Sequence, residues 1–85
     1  MTQALTSNIR YEVAALVRAE MARQGIRNVA LGERIGKNEV WVSRHVRLNP
    51  TQDFTLPELE MVARALGVPL STLIPADDQP AQVTA

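Results

Sequence analysis

A glycine between two short helical patterns is the feature that most constrains the fold of this chain. Gly36 stands in the stretch GERIGKNEVWVSRHVR, residues 32–47, where an apolar pattern of helical spacing resumes almost at once after it. Glycine adopts the left-handed backbone conformation that a tight helix stop requires. Two short helices joined by a turn of about three or four residues that contains glycine are typical of a helix-turn-helix. The chain is therefore predicted to bend at Gly36 and to project the second of these helices across the first.

Apolar residues at helical spacing predict two helices before that bend. The first is expected to follow a cap at Ser7 or Asn8 and to end at Gly25. Asn28 is expected to cap the second helix, which is short. Gly32 lies inside this second helix, where glycine costs about 1 kcal/mol relative to alanine. Its missing side chain is expected to let another helix approach closely.

The third helical pattern extends from about Asn38 to Arg47. Val42 and Val46 form its inward stripe. Trp41 is expected to pack as core against the first or second helix, and the alternative is a partly exposed platform against a sugar or a partner subunit. The outer face of this helix is rich in hydrogen-bond donors. The next residues read LNPTQDF and predict a loop, because Asn-Pro is a turn signal.

A fourth helix is predicted to begin with a Thr-x-x-Glu capping box at Thr55 and to end at Gly67. Ser71 is expected to cap a last short turn that packs against the core. These elements predict an all-α domain over residues 8–75, a compact bundle of five short helices. Residues 1–7 are predicted to be a flexible N-terminus, and residues 76–85 a flexible C-terminal tail.

Composition narrows the class of protein. Eighty-five residues provide one small domain, and an apolar share of 46% with one Trp, one Tyr and one Phe favours a helical core of aliphatic side chains. The chain has no cysteine, so neither a disulfide framework nor a thiolate metal site is expected. No segment resembles a signal peptide or an apolar membrane span of about 20 residues, so a cytoplasmic protein without a membrane partner is expected.

Charge is unevenly distributed although the formal net charge is zero. Residues 1–52 carry eight basic and four acidic side chains, whereas residues 53–85 carry one basic and five acidic side chains. Because a local field steers a polyanion more than the total charge does, the basic part is a candidate surface for nucleic acid.

The residues that catalysis usually needs are scarce in this sequence. His45 is the only histidine and is expected to be a partly exposed helix residue without a ligand. No cysteine is present, and no glycine-rich phosphate loop is found. No catalytic residue, metal site, cofactor or small-molecule ligand is therefore predicted, and the chain is not expected to be an enzyme.

Two stretches of the chain together resemble the lambda-repressor-like helix-turn-helix family, which includes phage Cro and repressor proteins and the xenobiotic-response-element regulators. The first is residues 28–47, with Leu-Gly at 31–32, Ile-Gly at 35–36 and WVSR after them. The second is FTLPELEMVARALGVPLSTLI, residues 54–74, which is similar to the fourth and fifth helices of that family. The chain departs from the family in three places. Gly32 stands where alanine is usual, and Arg27-Asn28 stands where a capping Thr or Ser followed by Gln is frequent. After the third helix, RLNPTQDF replaces a common glycine.

The resemblance implies which residues touch DNA, since the third helix of this class lies in the major groove with its N-terminal residues at base edges. Asparagine suits adenine, glutamate suits the amino group of cytosine, valine suits the thymine methyl group and arginine suits guanine. By position, the base-reading residues are expected to be Asn38, Glu39, Val40 and Arg44. The phosphate-contacting residues are expected to be Arg27, Asn28, Arg34, Lys37, Ser43 and Arg47. Arginines of the first helix are expected mainly to aid solubility, namely Arg10, Arg18 and Arg23.

The expected function is that of a sequence-specific regulator of transcription that binds an operator in double-stranded DNA. A phage or prophage repressor or Cro-like protein, acting in the cytoplasm of a bacterial host at the nucleoid, fits the resemblance best. Alternatives that keep the DNA contact are an architectural protein, a recombination-directionality protein and an antitoxin. A protein-interaction module that binds no DNA is a further alternative. A homodimer is a possible binding unit, because one small module buries little surface for a specific affinity of about 10⁻⁸ M.

Overall fold

A computed structural model describes residues 2–76, with side chains from residue 9 onward. Within that range the chain forms four α-helices and one short 3-10 turn, and no strand. The helices are α1 (Thr2–Gln24), α2 (Asn28–Ile35), α3 (Glu39–Val46) and α4 (Leu56–Leu66), and the 3-10 turn is Leu70–Leu73. The all-α prediction is confirmed, but the fifth predicted helix is only this turn. The predicted C-terminal tail, apart from Ala76, lies outside the described residues.

Helix α1 is longer than the sequence predicted. It begins at Thr2, so the prediction that Ser7 or Asn8 caps it is wrong, and the predicted N-terminal segment is helical from residue 2. The physical reason is that the first eight residues contain neither proline nor glycine, and nothing there stops a helix. The predicted end is confirmed, because Gly25 follows the last helical residue with φ of +70°. Helix α1 has 23 residues but is too polar to cross a bilayer. Among the described residues, no other helix is both long enough and apolar enough to do so.

Helix α2 is short and ends as the sequence predicted. Gly36 has φ of +74°, and its N–H donates to the carbonyl oxygen of Gly32. The N–H of Lys37 donates to the same oxygen at 2.8 Å, which closes the turn. The predicted cap at Asn28 is wrong, because Asn28 is already helical and Arg27 occupies the cap position without a side-chain hydrogen bond.

Helix α4 begins with the predicted capping box. The backbone N–H of Glu58 donates to Thr55 Oγ1 at 3.2 Å, and the Glu58 carboxylate accepts from the N–H of Thr55 at 2.9 Å. Gly67 ends the helix in the left-handed conformation, as predicted. The predicted cap at Ser71 is wrong, because Pro69 precedes the 3-10 turn and Ser71 lies within it.

Every element contributes to one hydrophobic core. Each provides at least one side chain that is fully buried, and burial of each such side chain stabilises the fold by about 1.5–3 kcal/mol. These residues are Val17 of α1, Leu31 of α2, Val42 of α3, Val62 of α4 and Leu73 of the 3-10 turn. Because α2 and α3 are only eight residues each, their positions depend on this packing more than on their own helical stability.

Candidate nucleic-acid interface

The exposed side of α3 and the start of α2 form one cleft of about 490 Å³, which we call the α3 cleft. Six of the ten residues predicted to touch DNA line it, so the fold brings most of that set together. They are Asn28, Glu39, Val40, Ser43, Arg44 and Arg47. Asn28 comes from α2, and the others belong to α3 or follow it directly.

The amphipathic pattern of α3 determines which side chains reach this cleft. Val42 and Val46 are buried against the core, as predicted. Glu39, Val40 and Arg44 therefore point to solvent. Val40 is 56% exposed, so its apolar side chain is accessible at the cleft.

Asn38 lies at the N-cap of α3. Its Oδ1 accepts a hydrogen bond of 2.8 Å from the backbone N–H of Trp41. An amide that reads adenine bidentately uses both its oxygen and its nitrogen, and this oxygen is already engaged in the cap. Beside it, Lys37 Nζ lies 5.2 Å from the centroid of the Trp41 ring, within the range of a cation–π contact.

His45 is buried, and the prediction of a partly exposed residue is wrong. Its ring stacks on Trp41 with 3.9 Å between the centroids, and Phe54 lies 4.8 Å away on the loop. With the tautomer assigned from this contact, His45 Nδ1 donates to the Trp41 carbonyl oxygen at 2.7 Å. Trp41 is half-buried and packs against the core, as predicted. The spacing of four residues between Trp41 and His45 was a signal for this stack.

The C-terminal end of α3 is bonded to two other parts of the molecule. The carbonyl oxygen of Arg44 accepts from the backbone N–H groups of Thr51 and Gln52, at 3.0 and 3.3 Å. The half-buried Arg18 of α1 donates through Nη1 to the carbonyl oxygens of Val46 and Arg47, at 2.7 and 3.0 Å. The expectation that Arg18 is a plain solubilising residue is therefore wrong.

Most of the other basic side chains outside the cleft have partners within the molecule. Arg10 pairs with Asp53 through two hydrogen bonds, at 2.5 and 3.1 Å, and this contact lowers the pKa of the Asp53 carboxyl below its ordinary value. Arg23 pairs with Glu20, and hydrogen bonds from Arg23 and then Gln24 lower the pKa of the Glu20 carboxyl. Arg64 pairs with Glu60 at 3.3 Å.

Arg34 is placed apart from the other predicted DNA contacts. Its Nη1 donates to the carbonyl oxygen of Ala65, near the end of α4, at 3.0 Å. It lines a separate cleft together with Glu60 and Arg64. Its guanidinium thus satisfies a helix end, and the α3 cleft does not contain it.

The remaining basic side chains belong to the α2–α3 side of the molecule. Arg27, Lys37 and Arg44 are exposed and make no ion pair with any other described residue. Arg47 is also exposed, and its Nε donates to the carbonyl oxygen of Asn49 at 3.2 Å. Glu39 is the acidic residue among those that line the α3 cleft. Two exposed cationic side chains, Arg44 and Arg47, therefore line the cleft, where an anionic partner can reach them.

Comparisons with protein-family models, with curated proteins and with solved structures find no match to this chain.

Proposed function

We propose that this chain is a sequence-specific regulator of transcription that binds double-stranded DNA through α3. In this proposal α2 and α3 form a helix-turn-helix of the lambda-repressor-like type. The observation that carries the proposal is the distribution of basic side chains. Five of them form ion pairs or bind carbonyl oxygens at helix ends, namely Arg10, Arg18, Arg23, Arg34 and Arg64. Among the described residues, the other four basic side chains belong to α2, α3 or the residues next to them, and two of these, Arg44 and Arg47, line the α3 cleft, where a duplex would fit.

The chemistry along α3 suits the edges of base pairs in a major groove. Val40 offers an apolar surface for the methyl group of thymine, which is the main apolar feature of that groove. Arg44, one helical turn further on, offers a planar fork for guanine. Glu39 is suited to accept a hydrogen bond from the amino group of cytosine, which offsets the cost of placing a carboxylate near phosphates.

Phosphate contacts would come from both ends of the cleft. Helix α2 begins without a side-chain cap, so the N–H groups of its first turn are available, together with the positive end of the helix dipole, to bind a phosphate. Arg27 and Asn28 lie at this end. Further donors would come from Lys37 in the turn before α3, from Ser43 within α3 and from Arg47 directly after it.

Occupation of an operator that overlaps a promoter would exclude polymerase, as in a phage or prophage repressor or a Cro-like protein. The protein would then act in the cytoplasm of a bacterial host. Two copies bound to one site would select sequences with inverted repeats, because the symmetry of the operator mirrors that of the protein. A site away from any promoter would favour an architectural, recombination or antitoxin role.

The test is selection of bound sequences from random duplex DNA, followed by affinity measurements at several salt concentrations. Each phosphate that the protein neutralises contributes a slope of about −0.9 to log K against log salt. We expect Arg44→Ala to relax the preference at one base position at a cost of about 1–3 kcal/mol, and Arg47→Ala to weaken all sequences alike. Arg64→Ala, on α4, is the matched control and should change neither the base preference nor the affinity. A flat response to salt would contradict the proposal and favour a protein-interaction module.

A further inference from the structure

We propose that Arg18 is a positioning residue for base reading, which holds the C-terminal end of α3 at a fixed place on α1. This inference depends on the proposed function for its consequence in DNA recognition. The contact itself does not depend on that function. Arg18 Nη1 donates to the carbonyl oxygens of both Val46 and Arg47, which are the last residue of α3 and the residue after it.

The position of α3 needs such a contact because the helix is short. Eight residues form a helix that is marginal in isolation, so its orientation is determined by what it packs against. Val42 and Val46 bury one side of it, but apolar packing is non-directional and permits small rotations and shifts. A guanidinium that binds two carbonyl oxygens at the end of the helix removes that freedom. Its positive charge also interacts favourably with the negative end of the helix dipole.

The two carbonyl groups that Arg18 binds lie within three residues of Arg44, and one of them belongs to Arg47 itself. A recognition group must stay within about 0.5 Å of its productive position to read a base. Loss of the Arg18 contact would therefore misplace the side chain of Arg44 while leaving its chemistry unchanged. The loop bonds from Thr51 and Gln52 to the Arg44 carbonyl would remain, so α3 would loosen and not detach.

Arg18 does not line the α3 cleft, and its two hydrogen bonds are made inside the molecule. A direct phosphate contact and a positioning role therefore predict different results when Arg18 is replaced. If Arg18 contacted a phosphate, its replacement would reduce the magnitude of the salt slope and weaken all duplexes alike. If Arg18 positions α3, its replacement would lower the discrimination between duplexes and leave the salt slope unchanged.

The experiment compares Arg18→Met with Arg23→Met, which removes the same charge from the same helix but whose partner is Glu20 and not α3. Arg18→Lys is the conservative variant, since it keeps the charge and a donor. For each chain, circular dichroism first fixes a temperature at which it is folded. The affinity is then measured for the duplex that the unmodified chain selects, and for the same duplex with the guanine of the Arg44 position replaced. Hydrogen exchange of the α3 backbone amides is measured without DNA.

We expect Arg18→Met to lower the ratio of the two affinities about tenfold, which is the scale of one bidentate base contact. We expect Arg18→Lys to recover part of this ratio, and Arg23→Met to leave it unchanged. Exchange of the α3 amides should quicken in Arg18→Met and not in Arg23→Met. An unchanged ratio would overturn the positioning role. If the magnitude of the salt slope then falls by about 0.9, Arg18 contacts a phosphate, and if only thermal stability falls, Arg18 serves the fold alone. If the unmodified chain selects no duplex, the proposed function fails. Independently of that result, unchanged hydrogen exchange of the α3 amides in Arg18→Met would overturn the contact between Arg18 and α3.

Discussion

The backbone oxygen of Lys37 lies 2.5 Å from the position that a Cβ atom on Gly32 would occupy. The Cγ2 atom of Val42, on α3, lies 3.4 Å from the same position. The turn after α2 therefore folds back onto the last turn of that helix, and a side chain at residue 32 has no room. Gly32 is required by this close approach of backbone and not only by the crossing of two helices.

Gly32→Ala is expected to destabilise the fold, although alanine is the better helix former and is usual at this position in the family that the chain resembles. The gain in helix propensity is about 1 kcal/mol, whereas forcing an atom into a filled site costs about 1–3 kcal/mol. Here the obstructing atom is a backbone oxygen next to the turn, so the cost lies toward the upper end. We expect the free energy of unfolding in urea to fall by about 1–2 kcal/mol. Equal or greater stability of the variant would mean that the turn moves aside without cost.

The ends of the helices were predictable where the signal is local. Gly25, Gly36 and Gly67 follow helices with positive φ, because left-handed backbone strongly favours glycine. The capping box at Thr55 was predictable for the same reason, since its two partners are three residues apart. Helix starts marked only by a capable side chain were predicted wrongly, as at Asn28, because a residue caps a helix only if its own backbone is extended, and here Arg27 is extended whereas Asn28 is helical.

The candidate site was predictable in part. The side of α3 that faces out follows from apolar spacing, so Val40 and Arg44 were placed correctly on the exposed side. The contacts that position α3 join residues that are distant in the chain, as Arg18 is from Val46, and no local pattern records them. Spacing within α3 indicated the stack of His45 on Trp41, but it could not indicate that Phe54 of the following loop lies against the same ring.

Asn38 is expected to act mainly as the cap of α3. Asn38→Ser keeps an acceptor for the N–H of Trp41 but cannot bind adenine bidentately, whereas Asn38→Ala removes the acceptor. We expect Asn38→Ala to lower the free energy of unfolding by about 1 kcal/mol and Asn38→Ser to change it little. Binding of the selected duplex should follow the same order. If Asn38→Ser is as stable as the unmodified chain but loses preference at one adenine, then Asn38 reads a base as well.

The Arg10–Asp53 ion pair makes part of the free energy of unfolding depend on pH. The hydrogen bonds from Arg10 hold the pKa of Asp53 below its ordinary value of about 3.9 in the folded state. The contribution of the pair is therefore complete above that ordinary value and is lost as the pH falls through the lower folded pKa. We expect Asp53→Asn to be slightly less stable at pH 7, and this difference to disappear as the pH falls through the folded pKa of Asp53.

The control for this experiment is Glu33→Gln, which removes one exposed carboxylate from α2 without touching the pair. The pKa of Glu20 is also lowered in the folded state, so both variants should still lose stability in acid as Glu20 becomes protonated. Urea titrations at pH 7, 5, 4 and 3, set to bracket the ordinary pKa of about 4 for a carboxyl group, would measure these differences. A deficit of Asp53→Asn that stays constant down to the lowest pH would show that the pair does not titrate as stated.

Arg34 and Arg27 offer a matched test of the DNA surface, because both belong to α2 or its cap and each carries one charge. Arg34 donates to the carbonyl oxygen of Ala65, whereas Arg27 is exposed, precedes the cleft residue Asn28 in the chain and has no ion pair among the described residues. We expect Arg27→Gln to weaken binding of all duplexes and to reduce the magnitude of the salt slope by about 0.9. Arg34→Gln should leave affinity and slope nearly unchanged and lower the free energy of unfolding by about 0.5–1.5 kcal/mol, the usual worth of one hydrogen bond. Equal losses of affinity from the two variants would mean that Arg34 leaves α4 when DNA binds, and would restore it to the set of phosphate contacts.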